Sequence, residues 1–182
     1  MMTILILLIL LLLFMIFWQV SLIYATFLGA PTVYSHKKAM VEAFELAGLK
    51  KGELVVDLGC GNARSLIIAA KHFGARGVGV ERSPYAYLQS ILMVRLSGQQ
   101  DKIKILFGDF KVAEDYLKKA DVVYLYLLNS VLSKLEDWFF ATIPSETRVV
   151  SLSFLFSKHK PAKEISVRNL GRDTFVRLYE KS

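Results

Sequence analysis

The first 35 residues of this chain, Met1 to Ser35, contain no Asp, Glu, Lys, Arg or His. Every charged side chain follows, beginning with His36, Lys37 and Lys38. An uncharged apolar run of this length cannot form the surface of a water-soluble domain, and about 20 such residues suffice to cross a hydrocarbon core. The stretch Thr3 to Leu28, TILILLILLLLFMIFWQVSLIYATFL, therefore reads as a membrane-spanning helix. Trp18 and Tyr24 fall where amphipathic rings favour the headgroup zone. Lys37 and Lys38 lie just beyond, so the positive-inside rule sets the rest of the chain on the cytoplasmic, or organelle-matrix, side. A cleaved signal peptide would want a basic start and a shorter apolar core. The expected division is thus an anchor over 1–30 and one folded domain over 31–182, a single-pass membrane protein.

The net charge of +7 belongs wholly to that domain, which suits a neighbour such as anionic lipid. Without a dense Arg/Lys stripe or a recognised motif, a nucleic-acid partner is not expected. The single cysteine, Cys60, excludes an intrachain disulfide, and His36, His72 and His159 are too scattered to suggest a metal site.

Within the domain, apolar runs alternate with helical patterns. Helices are expected from Ser35 to about Ala47, Ala63 to Phe73, Pro84 to Leu96, Lys111 to Lys118 and Val131 to Phe140. Strands are expected over Leu54–Gly59, Val78–Glu81, Lys102–Phe107, Asp121–Leu128 and Thr147–Phe156. A closing hairpin spans Glu164 to Glu180 around 169–173. Such alternation predicts an α/β fold with a mostly parallel sheet, both faces covered, and an antiparallel hairpin added at the end.

Ligands of open parallel sheets bind beyond the carboxyl ends of the strands. The first strand runs into Asp57-Leu58-Gly59-Cys60-Gly61-Asn62-Ala63-Arg64. Gly59 and Gly61 let backbone approach a ligand, and the following helix N-terminus suits a carboxylate. Asp57 suits a cationic amine, so this turn, with Cys60 tolerated inside it as a small side chain, fits an amino acid moiety. Glu81, about 20 residues beyond the turn, can accept both hydroxyls of a ribose, with Arg82 beside it. After the third strand, Asp109 can accept from an adenine amine and Phe110 can cover the base. Amino acid, ribose and adenine together describe S-adenosylmethionine. A nicotinamide fingerprint would place a third glycine at Arg64 and would not call for Asp57 or Asp109.

At these residues the chain resembles the class I, seven-strand methyltransferases, with DLGCGNAR in place of their DLGxGxG. It is similar more narrowly to the membrane-anchored protein-lysine methyltransferases that act on the ADP/ATP carrier or the ATP synthase c subunit. The resemblance runs through APTVYSHKKAMVEAF, GVGVERSPYAYLQS, GDF and NSVLSKLEDWFFATIPSETRVVSLSF. It implies a Rossmann-like methyltransferase sheet with S-adenosylmethionine as cofactor. It further implies that Tyr34 and Ser35 fold over the cofactor and that Asn129-Ser130 lie beside the methyl group, making Asn129 and Tyr34 the candidate catalytic residues. Asn129 also reads as a helix N-cap, and Tyr34 as an interfacial aromatic.

The expected activity is methylation of a lysine on a membrane protein. A lipid-like acceptor such as a quinone or phospholipid is the alternative, and a non-catalytic, membrane-anchored nucleotide-binding protein is a third reading. Tyr124, Tyr126, Trp138 and Phe139 read as core packing more readily than as walls of an acceptor channel.

Overall fold

The computed structural model describes residues 2–27, 37–169 and 172–181. Tyr34 and Ser35 lie outside the described residues. The first helix, α1 (Met2–Phe27), includes an apolar window, Met2–Val20, long enough to cross a membrane, and none of that window is buried inside the protein. The ring of Trp18 lies 6.5 Å from that of Tyr85.

The domain follows with α2 (Lys37–Leu46), β1 (Leu54–Leu58), α3 (Arg64–His72), β2 (Arg76–Glu81), α4 (Pro84–Leu96) and β3 (Ile103–Phe107). A 3-10 turn (Phe110–Ala113) leads into α5 (Glu114–Leu117), then β4 (Val122–Leu125), α6 (Asn129–Thr142), β5 (Arg148–Leu152), β6 (Lys163–Asn169) and β7 (Arg172–Glu180). The seven strands form one sheet in the order β3-β2-β1-β4-β5-β7-β6. The first five are parallel, and β7 inserts antiparallel between β5 and β6. This is the expected Rossmann-like sheet with its terminal hairpin. Strand order reverses between β1 and β4, which puts the ligand crevice beyond their carboxyl ends.

Alternation along each strand splits the core in two. Val55 faces the side covered by α2 and α3, with Phe44, Leu66 and Val150. Val56 and Leu58 face the other side, with Leu117, Leu132 and Phe139. Asp57, in step with Val55, thereby points under α3.

β1 ends one residue early, at Leu58, and two strands end well before their expected limits. β4 stops at Leu125 instead of Leu128, because Leu127 turns back to cover the loop after β1, where a Cβ on Gly59 would meet it at 3.0 Å. β5 stops at Leu152 instead of Phe156, because Ser153 takes a left-handed φ of 62° and breaks the ladder. The expected helix from Lys111 to Lys118 is divided between the 3-10 turn and the four residues of α5.

Candidate functional site

The loops after β1, β2 and β3 meet at Glu81. Its carboxylate accepts from the amide of Gly61 at 2.9 Å through Oε2, and from the amides of Arg82 (2.9 Å) and Ser83 (2.7 Å) through Oε1. Its carbonyl accepts from Gly108 at 3.1 Å. One residue thus fastens the glycine turn to the loop before Asp109. Burial pushes the Glu81 carboxyl above its ordinary value, and the three backbone amides offset part of that shift. A half-buried carboxylate already oriented by its neighbours is a preorganised acceptor for hydroxyl groups.

Asp57 is 3% exposed and accepts from the Ser65 hydroxyl on α3. Burial drives its carboxyl up to about 7, against the lowering effect of Ser65, and the nearby Glu81 adds to the rise. Ser65 was not among the expected site residues. Its position eight residues beyond Asp57, in the first turn of the following helix, is the signal that could have found it.

The turn between them is held by backbone. The amides of Gly59 and Cys60 both donate to the carbonyl of Val80 at 2.9 Å. Gly59 has φ 86° and Gly61 φ 54°, conformations that a side chain disfavours. Ala63 takes φ 59°, the left-handed position that a glycine would fill more comfortably. The Cys60 side chain turns into the core beside Gly79, where an added Cβ would lie 2.7 Å from its sulfur. Burial, then the charges of Asp57 and Glu81, push its thiol well above the ordinary value. Only the backbone of Cys60 faces the turn, and the thiol is no nucleophile.

Asp109 is exposed and caps the 3-10 turn, accepting from the Lys111 amide at 2.9 Å. Phe110 follows half-buried against the second core. The side chain of Arg82 is exposed; it is the Arg82 amide that meets Glu81. The structure therefore gathers Asp57, Gly59, Gly61, Glu81 and the Gly108–Phe110 loop at the carboxyl end of the sheet.

Asn129 sits beyond β4 as the first residue of α6, with Leu128 in the cap position. Its Oδ1 accepts from the Leu155 amide at 2.9 Å, binding α6 to the loop after β5. Glu136, fully buried one helical stretch on, clamps the same loop. It accepts from the amides of Ser157, Lys158 and His159, the Ser157 hydroxyl and His159 Nδ1. Glu136 carries no local sequence signal of this role. Tyr124 and Phe139 are core residues, whereas Tyr126 is half-buried, its ring 5.6 Å from that of Phe154 at the rim. Among the described residues, no group of three or more His, Cys, Asp or Glu could hold a metal ion.

Comparison with known proteins agrees with this fold. The family model described as the ANTKMT methyltransferase domain matches residues 57–163. A protein-lysine N-methyltransferase of Saccharolobus islandicus is 29% identical over 150 residues, spanning 82% of this chain and 92% of that one. A crystal structure described as an RNA methyltransferase from Salinibacter ruber, in complex with S-adenosyl-L-homocysteine, is 32% identical. It superposes with a TM-score of 0.74 over 82% of this chain and 94% of that one. The tRNA methyltransferase TrmK of B. subtilis, 16% identical, shares the fold with a TM-score of 0.67 over 81% of this chain and 67% of its own.

Proposed function

Because the chain belongs to the ANTKMT methyltransferase domain family, and is accordingly an S-adenosylmethionine-dependent methyltransferase, we propose that it methylates a lysine of a membrane protein while α1 holds it in the same bilayer. The domain division follows: an anchor over 1–30 and a catalytic domain over 31–182 on the cytoplasmic or matrix side.

The observation that carries the cofactor assignment is the Glu81 node. Its carboxylate would accept the ribose hydroxyls, Asp109 would accept from the adenine amine, and Phe110 would cover the base. Gly59 and Gly61, with no Cβ, admit the amino acid moiety over Asp57, whose carboxylate balances the ammonium. The residues present fit the group, and Cys60 and Arg82 contribute through backbone. Tyr34 and Ser35 are assigned to the cofactor by the family resemblance alone.

S-Adenosylmethionine supplies an electrophilic methyl group, so the chain's task is alignment in a dry pocket. A lysine acceptor has to arrive neutral, which asks for a fall of about 3 pKa units, roughly 4 kcal/mol. Burial beside the positive sulfur of the cofactor would act in that direction. Asn129, fixed by Leu155, orients the amine without serving as a base. The protein-lysine activity named for the Saccharolobus relative supports this acceptor, and α1 favours one embedded in a membrane, since tethering raises its effective concentration.

A second reading, an RNA acceptor, is favoured by the 32% identity to the Salinibacter RNA methyltransferase. The test offers full-length protein and methyl-tritiated S-adenosylmethionine to native membranes, lipid extract and total RNA. Label in a membrane protein, mapped to lysine by mass spectrometry and absent with Glu81→Ala, is the expected result. Label confined to RNA or to lipid would overturn the acceptor assignment.

A further inference from the structure

Helix α4 is built inside out. It turns small or polar residues to the sheet: Ala86, Ser90 and Val94 are all buried. Its large apolar residues face away, with Leu88 56%, Leu92 55%, Met93 39% and Leu96 74% exposed. Leu88, Leu92 and Leu96 recur every four residues and so form one stripe along the helix, about 12 Å long at 1.5 Å per residue. A surface helix ordinarily does the reverse, and a helix apolar on both faces is one that has both faces covered.

We infer that the outer face of α4 lies in the headgroup–acyl boundary of the bilayer that α1 crosses, an inference that rests on α1 being a membrane anchor. The contact between Trp18 and Tyr85 makes the stripe continuous with α1: the anchor's apolar window ends at Val20, and α4 begins at Pro84. The apolar surface then extends to the edge of the sheet, where Phe107 is 52% exposed and its ring lies 5.2 Å from that of Tyr87. Among the described residues beyond α1, the large exposed apolar side chains outside this surface are three scattered ones, Val112, Leu155 and Phe175. Arg95 and Lys102, both exposed, border the stripe, placed for long side chains to reach anionic headgroups. A bilayer covers such a face along its whole length without the matched shape that a protein partner needs.

The consequence concerns the acceptor. In a βαβ unit the helix runs antiparallel to its strands, so laying α4 on the membrane lays the sheet along it. The carboxyl ends of β1, β2 and β3 then open sideways, level with the membrane surface near Trp18. The methylated lysine would sit at the interface and not on a domain projecting from it.

The test is a fluorophore on Leu92→Cys in the full-length protein, reconstituted into phosphatidylcholine–phosphatidylglycerol vesicles; Cys60 is buried, which leaves the introduced thiol as the labelling site. Lys134→Cys, exposed on α6 across the sheet, is the reference. Unchanged S-adenosylhomocysteine affinity certifies the fold of both. The inference expects a several-fold rise in emission with a blue shift at position 92, quenched by shallow nitroxide lipids, and no response at position 134. A water-like signal at 92 in protein that resists alkaline carbonate extraction would overturn the inference and leave the anchor standing. Emission that tracks protein density would assign the face to a second copy and equally overturn it. Release of the protein by carbonate would remove the anchor itself.

Discussion

The amide of Gly61 donates to Glu81 Oε2 across 2.9 Å, so the turn after β1 takes its shape from a side chain on the neighbouring strand. Glu81→Gln tests this link. The amide nitrogen of glutamine and the oxygen that remains cannot both serve Gly61 and the pair Arg82 and Ser83, so one donor loses its acceptor. The loss is about 1–3 kcal/mol, and S-adenosylhomocysteine affinity falls roughly 10- to 100-fold. Calorimetry on folded protein checks it, and unchanged affinity would separate Glu81 from the ligand.

Asp57 makes cofactor binding pH-dependent. With its carboxyl at about 7, the ligand-free protein holds a proton there at pH 6 and has released it at pH 8. Because the folded value is raised, the stability this group contributes is present below the unfolded value near 4 and is lost as pH climbs through 7. A cationic amine prefers the carboxylate, so binding expels the proton. Affinity for S-adenosylhomocysteine should rise by up to about tenfold per unit below pH 7 and level off above it. Titrations in buffers of different ionisation enthalpy should register proton release at pH 6.5, an effect absent in Asp57→Asn.

Much of this site is written locally in the chain. The glycine turn, Glu81 and Asp109 each follow an apolar run directly, so reading where the strands end also reads the pocket. Ser65 and Glu136 were hidden for another reason. A hydroxyl or carboxylate on a helix looks like surface until the fold brings Asp57 or the 157–159 backbone against it. The overrun of β4 and β5 has a related cause: Tyr126-Leu127 and Phe154-Leu155-Phe156 are as apolar as strand residues, but they cover loops and pack on α6 instead of extending the ladder. The apolar outer face of α4 was likewise invisible, since helical periodicity gives no hint of which side meets the sheet.

Ala63 carries the strain of the turn. At φ 59°, Ala63→Gly relieves the left-handed conformation while giving up a buried methyl, and stability should stay within about 1 kcal/mol of the parent. Ala63→Val, branched at Cβ in the same conformation, should lose more than about 2 kcal/mol. Urea unfolding monitored by circular dichroism distinguishes the two, and equal midpoints for them would contradict the backbone assignment.

Glu136 governs the loop after β5. Burial raises its carboxyl, but hydrogen bonds from Ser157, His159 and the loop amides outweigh it and hold the value at about 2. The sign is opposite to that of Asp57: this stability, on the order of 3 kcal/mol, is present above about pH 4.5 and drains away as pH falls towards 2. Glu136→Gln should abolish that acid limb in a series of melting curves and increase protease cleavage near 157–159.

The pocket itself is tested most directly by a crystal structure of the protein with S-adenosylhomocysteine. Both ribose hydroxyls should lie within hydrogen-bond reach of the Glu81 carboxylate, the adenine amine near Asp109 and the amino acid end over Asp57 and the Gly59–Gly61 turn. A ligand whose ribose sits away from Glu81, or whose base lies elsewhere than the Gly108–Phe110 loop, would contradict the assignment.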